Sequence, residues 1–267
     1  MPEGDTIHRA AIRMRPVLAG HTLTRFEAAR LVGDRPAVGE LIEGVEARGK
    51  HLLVHFSGGL TLRTHMKMTG SWHLYREGER WRKGTHLARV VVGADSGWVG
   101  VCFQAPVIET HHRALGDPLP LAALGPDLTG AGPDIDAAVA RAALAVPGTE
   151  LGDALLDQRI ASGIGNVYKS EVCFLHGIDP FTPIAEVPPE LLRRIFETSH
   201  GLLVANLGRT RRVTYRDGVA VYGRRGQSCF RCGSVVRMRR QGEMARSTYW
   251  CPTCQPPGKV VGAGTTS

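Results

Sequence analysis

Apolar residues at the start of the chain, Ile7, Ala10, Ala11, Met14, Val17 and Leu18, recur three and four apart. That spacing predicts an amphipathic helix, weakened at Pro16 and ended by Gly20. From His21 to about His112 the period shortens to two. "KHLLVHF", "LTLRTHM", "SWHLY", "ARVVVG" and "WVGVCF" are short, alternating or β-branched, and Gly turns such as "SGG" and "DSG" separate them. This is the pattern of an antiparallel sandwich or barrel. Residues 115–133 are rich in Pro and Gly and read as a linker. Beyond them "DIDAAVARAALA", "LGDALLDQRIA", "NVYKSEVCFLHG" and "PPELLRRIFETSHGLLVANL" return to helical spacing. The PPE start, with an acid in the first turn, marks a helix N-terminus. The end, "PPGKVVGAGTTS", is of low complexity and is expected to be disordered.

The expected class is therefore α+β. An N-terminal helix and β-sandwich occupy 1–114, a linker 115–133, a helical domain 134–222, a cysteine-bearing unit 223–255 and a tail 256–267. No apolar run reaches the roughly 18 residues a bilayer span needs, and no targeting segment is recognisable. A cytoplasmic location is the expectation.

Charge sharpens this picture. The chain of 267 residues carries a net +8, which points to a polyanionic partner. From Arg209 to Arg246 there are eleven Arg and no Lys, opposed only by Asp217 and Glu243. Solvated charged faces usually mix Lys with Glu, whereas an all-Arg segment suits bidentate recognition of phosphate.

Four cysteines form the strongest spacing signal. Cys229-x2-Cys232 and Cys251-x2-Cys254 bracket an 18-residue loop, "GSVVRMRRQGEMARSTYW", that alternates around Gly242. In a cytosolic chain two such pairs fit a closed four-thiolate site for one structural Zn2+ better than two disulfides. A hairpin pinned at its base would then present Arg246. Cys102 and Cys173 stand alone and read as buried thiols.

Three further stretches carry weaker signals. In "QRIASGIGNVYKSE" the helical pattern breaks at Gly163–Gly165 and restarts at Asn166. This is either a plain helix–helix corner or a turn whose amides and Asn166 face a phosphate. Lys50 in "ARGKHLLVHF" is a solvated edge charge or a cation aimed into a cleft. Lys67-Met68-Thr69 in "THMKMTG" places an apolar Met at a turn tip, as do proteins that insert wedges into DNA.

"MPEG", "ARGKHLL", "SGIGNVYKSE" and "CFRCGS…ARSTYWCPTC" occur in an order that resembles the bacterial formamidopyrimidine-DNA glycosylase/endonuclease VIII family over nearly the whole chain, with the closer likeness to the endonuclease VIII branch. The resemblance implies a β-sandwich, a helix-two-turn-helix domain and a zinc finger. It also implies a bifunctional DNA glycosylase/AP lyase of base excision repair, acting as a nucleoid-associated monomer on damaged double-stranded DNA, with single-stranded or bubble DNA left open. Pro2 becomes the nucleophile once Met1 is removed, and Glu3 is the acid that assists sugar-ring opening. Lys50, Asn166 and Arg246 fall where the family holds the phosphates flanking the lesion. Glu171 matches a carboxylate beside the catalytic pocket, and Lys67 and Met68 lie in the loop that fills the gap left by the extruded base.

Thr6 stands where the family often has a second carboxylate, and "CFQAPVIETHH" shows no Arg/Phe wedge. Only Thr210 to Val221 separate "NLGR" from "YGRR", where formamidopyrimidine-type relatives carry a long lid over an oxidised purine. Oxidised pyrimidines are therefore the expected substrates. A non-catalytic zinc-finger protein binding damaged DNA would suit the same phosphate-binding features, but it needs neither Pro2 nor Glu3.

Overall fold

The helical spacing at the start of the chain becomes α1 (Gly4–Leu18) in the computed structural model, which describes residues 2–258. Met1, whose removal the resemblance requires, and residues 259–267 of the expected tail lie outside them. Glu3 is the N-cap, in extended conformation, and its carbonyl accepts from the amides of Thr6 (2.9 Å) and Ile7 (3.1 Å). The helix runs through Pro16, which supplies no N–H to its last turn, and the chain leaves through Gly20 at φ +81°. Ile7, Ala11, Met14 and Leu18 form its buried face.

Eight strands follow: β1 (His21–Glu27), β2 (Leu41–Arg48), β3 (His51–Phe56), β4 (Leu60–His65), β5 (Ser71–Arg76), β6 (Ala88–Ala94), β7 (Trp98–Phe103) and β8 (Val107–His112). They are hydrogen-bonded in the order β5-β7-β6-β1-β2-β3-β4-β8, every pair antiparallel. β1 is the seam. His21 and Thr22 pair with β2, and from Leu23 onward the strand pairs with β6, with a register shift between Leu23 and Arg25. A strand that changes partners in this way lets the sheet fold into two layers. Ile42, Val54, Phe56, Val90, Val92 and Cys102 share the core between them with α1. Tyr75, Val91, Val101 and Phe103 face outward from β5–β7–β6 and are covered by Trp81 and Leu87.

The chain divides into two compact units, residues 2–123 and 124–258 within the described range. The stretch read as a linker belongs to both. α2 (Leu119–Ala122) ends the first, and Leu128 is fully buried in the core of the second. There Leu128 N–H donates to the Ser162 carbonyl at 3.0 Å and Ser162 N–H to that of Pro126 at 2.8 Å.

The second unit contains α3 (Ile135–Ala143), α4 (Leu151–Leu156), α5 (Asn166–Leu175) and α6 (Pro189–Ala205), then β9 (Arg237–Gln241) and β10 (Arg246–Trp250). "LGDALLDQRIA" is helical only to Leu156, shorter than its spacing predicts. Side chains take over the backbone groups there. The Asp157 carboxylate accepts from Arg159 N–H (2.9 Å), and the Gln158 amide donates to the carbonyls of Leu156 (2.7 Å) and Ile164 (3.1 Å). Gly163 then turns the chain at φ +106°, where a Cβ would come within 2.9 Å of Thr129 Oγ1. The result is two helices joined by a double turn, with Asn166 at the start of the second.

Candidate nucleic-acid interface and metal centre

In the first unit Glu3 is 0 % exposed and Pro2 is half-buried. The Glu3 side chain makes no helix-cap hydrogen bond, so the capping is done by its backbone alone. Lys50 sits in the two-residue turn between β2 and β3, after Gly49 at φ +57°. A first central residue at positive φ followed by one at negative φ is the type II′ hairpin pattern, which requires Gly there. The same turn leaves Lys50 half-buried beside His51 and His65.

Those two histidines are stacked edge to face, with ring centroids 4.7 Å apart. Burial and the surrounding cations hold His51 down to about 3, its neighbour His65 and Arg63, Lys50 and Arg48 all contributing. Burial, Lys50, Lys67 and Arg63 hold His65 down to about 4. Both rings are neutral at cellular pH, and Lys50 and Lys67 share one positive corner. The Arg63 guanidinium pairs with Glu109 and lies 3.1 Å from His51 Nδ1.

The tip after β4 is exposed. Met68 is 55 % exposed while Met66 is buried. Lys67 is left-handed at φ +43°, its N–H donating to His65 Nδ1 at 3.1 Å, and Thr69 Oγ1 donates to the Gln104 carbonyl at 3.3 Å. Gly70 cannot carry a side chain, since a Cβ would stand 2.7 Å from Met66 Cα. The tip is thus held at both ends with the apolar Met68 outermost.

In the second unit Asn166 and Arg246 are joined through Ser247. The Asn166 amide donates to the Ser247 carbonyl at 2.6 Å. Asn166 is 5 % exposed and its Oδ1 has no hydrogen-bond partner among the described residues. One amide hydrogen is therefore committed to β10. Arg246, half-buried, holds its guanidinium 3.8 Å from the Met244 sulfur.

Glu171, expected at the DNA, is 0 % exposed and serves its own chain. It accepts from Thr214 Oγ1 (2.5 Å) and from the amides of Ala220 (2.6 Å), Val221 (2.9 Å) and Tyr222 (2.8 Å). Four donors on two oxygens fill the carboxylate. It fixes the 214–222 loop and has no face open to DNA.

Lys169, which sequence spacing gave no reason to single out, is fully buried on the same helix. Its ammonium donates to Thr248 Oγ1 at 2.6 Å and lies 3.5 Å from Gln241 Oε1, so one turn of α5 is fastened to both hairpin strands. Ser170 Oγ accepts from Tyr249 N–H at 3.4 Å. Only the "NVYK" spacing, with Asn166 and Lys169 three apart, hints that both share a helix face.

The four cysteine sulfurs lie within 4.8 Å of one another, with Cys229–Cys254 at 3.9 Å and Cys232–Cys251 at 3.4 Å. A tetrahedral zinc bonded to sulfur at about 2.3 Å separates its ligands by about 3.8 Å, so the donor set and its spacing fit. Gly233 (φ +79°) donates to the Cys229 carbonyl at 2.9 Å and closes the knuckle, while Arg231 N–H lies 3.4 Å from Cys229 Sγ, where it favours the thiolate. Cys102 and Cys173 are fully buried, and burial pushes both thiols up, Cys173 to about 12. They are inert, as expected.

Residues 1–101 match the formamidopyrimidine-DNA glycosylase N-terminal domain, and residues 124–213 match that family's H2TH domain. The chain is 44 % identical to a probable endonuclease 8 2 of Streptomyces coelicolor, covering 96 % of this chain and 94 % of that protein. It is 36 % identical to the DNA-(apurinic or apyrimidinic site) lyase Nei2 of Mycolicibacterium smegmatis, covering 96 % and 99 %. Among solved structures, MutM (Fpg) of Thermus thermophilus is similar at TM-score 0.78 and 27 % identity, over 97 % of this chain and 100 % of that one. These matches run across both units and agree with the fold, so the chain belongs to the formamidopyrimidine-DNA glycosylase/endonuclease 8 family.

Proposed function

We propose that the chain is a bifunctional DNA glycosylase and AP lyase of base excision repair, removing oxidised bases, pyrimidines foremost, from damaged double-stranded DNA. The start of α1 carries this reading. A secondary amine at residue 2, once Met1 is removed, stands beside a fully buried carboxylate whose side chain takes no part in capping the helix.

An α-amino group titrates near ~7.7–8.0, so a useful fraction is neutral at cellular pH. The Pro2 nitrogen bonds to C1′ of the damaged nucleoside, and the electron pair of the glycosidic bond leaves with the base, which takes up a proton. Glu3 protonates O4′ as the sugar ring opens, giving an iminium. Because Pro2 is a secondary amine, this iminium has no N–H to lose and stays cationic. It acidifies the C2′ hydrogen. Loss of that proton expels the 3′ phosphate with the C3′–O pair, and loss of the C4′ proton then expels the 5′ phosphate. Water adds to the iminium carbon and frees the amine.

Lys50 holds a phosphate of the damaged strand, as do Asn166 and Arg246 in the second unit, while Lys67 and Met68 fill the space left by the base. Glu171 acts indirectly, by positioning the 214–222 loop. Cys229, Cys232, Cys251 and Cys254 hold one Zn2+, which supplies folding free energy to the hairpin and no chemistry. Among the described residues no helix is long and apolar enough to cross a membrane, and we place the enzyme in the bacterial cytoplasm at the nucleoid, as a monomer.

Borohydride trapping on abasic-site DNA tests the assignment. The processed protein should form a covalent adduct that peptide mapping places on residue 2, and Pro2→Gly or retained Met1 should reduce or eliminate it. An adduct on a lysine with normal activity, or specific binding without any trapping, would replace this reading by a different nucleophile or by the non-catalytic binder.

A further inference from the structure

The second unit holds a cavity of about 550 Å³ between the 214–222 loop and the first cysteine knuckle, with Arg211, Tyr215, Arg216, Asp217, Arg224 and Phe230 in its lining. Phe230 stands between Cys229 and Cys232. It is 47 % exposed even though the Arg224 guanidinium covers it at 3.5 Å from the ring centroid. Tyr215 lies nearly parallel to it, with 16° between the ring planes and centroids 6.3 Å apart.

The cations divide into one that holds the site together and two that do not. Arg224 donates to Gln227 Oε1 (3.0 Å) and to the carbonyls of Ala220 and Ser228, which fixes it over the ring. Arg211 and Arg216 are exposed, and neither side chain makes a hydrogen bond or ion pair among the described residues. Arg216, left-handed at φ +47°, holds its guanidinium 5.5 Å from the Tyr215 centroid and 5.8 Å from that of Phe230. That is close to the limit of a cation–π contact. Arg211 reaches the same turn, its Nη2 lying 3.6 Å from where a Gly218 Cβ would stand. Asp217 is the only carboxylate in the lining among the described residues, and it pairs with neither.

We propose that this platform binds an unpaired nucleotide of a DNA strand, its base stacked on the Phe230 and Tyr215 rings and its phosphates held by Arg211 and Arg216. Arg216 is the exchangeable partner. A base that takes its place over the rings frees the guanidinium for a phosphate, a stronger contact than the one given up. The cavity lies within the roughly 300–1,000 Å³ of ordinary ligand pockets. Every base has a π face, so stacking here tolerates any sequence, but a base inside a duplex is already stacked and cannot reach the rings. The choice of DNA as the polyanion rests on the function proposed above.

Anisotropy titration of the full-length protein with a fluorescein-labelled oligothymidylate, and with a lesion-free duplex of the same length, tests the site. Phe230→Leu, which keeps an apolar side chain and removes the ring, should weaken the single strand at least fivefold with its salt slope unchanged, and the duplex by less than twofold. Arg211→Gln/Arg216→Gln should make the log–log salt slope for the single strand shallower by about 0.7 per cation. Equal loss on single strand and duplex in Phe230→Leu, or unchanged single-strand affinity, would overturn the proposal. Should Phe230→Leu disturb the knuckle, the two exposed arginines decide it, and an unchanged slope in their variant would overturn it as well. Displacement of the oligothymidylate by equimolar dTMP would replace the strand by a free nucleotide. Absence of borohydride trapping in the parent protein, with the Phe230 effect intact, would refute the proposed function and leave the platform standing. Trapping without the Phe230 effect would do the reverse.

Discussion

The ammonium of Lys169 donates to the hydroxyl of Thr248 at 2.6 Å, and neither residue reaches solvent. Thr248 passes its own proton to Gln241 Oε1 at 2.6 Å, and the Gln241 amide donates to Glu150 Oε2 (2.8 Å) and the Pro180 carbonyl (2.9 Å). The chain of bonds ties α5 to the hairpin that bears Arg246. Truncation by Lys169→Ala leaves a cavity and strands buried acceptors, and should cost about 2–4 kcal/mol in urea denaturation. Lys169→Met keeps the volume and should lose less. In both, amides of β9 and β10 should exchange faster, and equal exchange rates would show that the hairpin is held by other means.

Glu171 is the corresponding anchor for the 214–222 loop. In Glu171→Gln one oxygen becomes an NH2 group facing N–H or O–H donors, so at least one hydrogen bond is replaced by a clash of hydrogens. The loss should be about 1–3 kcal/mol, concentrated in this loop. Base excision should fall far more than strand cleavage at a preformed abasic site, because the second reaction has no base to read. Equal losses in both would place Glu171 in the chemistry itself.

Zinc removal should act through the same hairpin. Metal analysis is expected to return one zinc per chain. Chelation or Cys229→Ser should unfold β9–β10, break the Asn166–Ser247 bond and abolish specific DNA binding, while the first unit keeps its far-UV signature. Active protein free of zinc would count against the metal assignment.

The stacked histidines of the first unit give a pH dependence. His51 at about 3 and His65 at about 4 both lie below the ordinary 6.5. Between those values and 6.5 the unfolded chain binds protons that the folded chain refuses. Stability is therefore complete above about pH 6.5 and falls as pH drops toward 4, with a limiting slope of roughly 1.4 kcal/mol per pH unit for each histidine. Urea midpoints from pH 4 to 8 should show the decline, and His65→Gln should flatten it. A variant slope equal to that of the parent would assign the decline to other groups.

Local pattern made much of this fold legible. The helical face of Ile7, Ala11 and Met14 and the strand in "KHLLVHF" both appear as read, although that strand is buried on both faces and does not alternate. The corner at Gly163–Gly165 and the restart at Asn166 were legible too, but the end of the preceding helix at Leu156 was not, because Asp157 and Gln158 continue a helical pattern while their side chains end the helix. The role of Lys169 is hidden from the sequence for a related reason. A lysine reads as solvent-facing, and the partners that bury it lie more than seventy residues away. Glu171 was legible as an important residue from the resemblance, but its occupation with the loop depends on backbone amides that no spacing reveals.

That same loop sets the last expectation, the substrate. Tyr215 N–H donates to the Gly218 carbonyl at 3.1 Å and Gly218 N–H to that of Tyr215 at 2.9 Å, a tight turn with Arg216 left-handed at φ +47°. Phe174 and Phe230 pack on the Tyr215 ring at 5.8 and 6.3 Å, and Glu171 holds the segment that follows. Between Thr210 and Val221 the chain is thus too short and too well anchored to extend over a large base. An everted purine would stay open to water and lack contacts to its Watson–Crick edge, whereas a pyrimidine needs less enclosure. Thymine glycol, dihydrouracil, and ring-opened or hydantoin lesions should be excised at least tenfold faster than 8-oxoguanine in single-turnover assays on matched duplexes. With no Arg/Phe wedge in "CFQAPVIETHH", rates should depend weakly on the opposite base. Fastest release of 8-oxoguanine, with a strong preference for opposite cytosine, would place the enzyme in the other branch of its family.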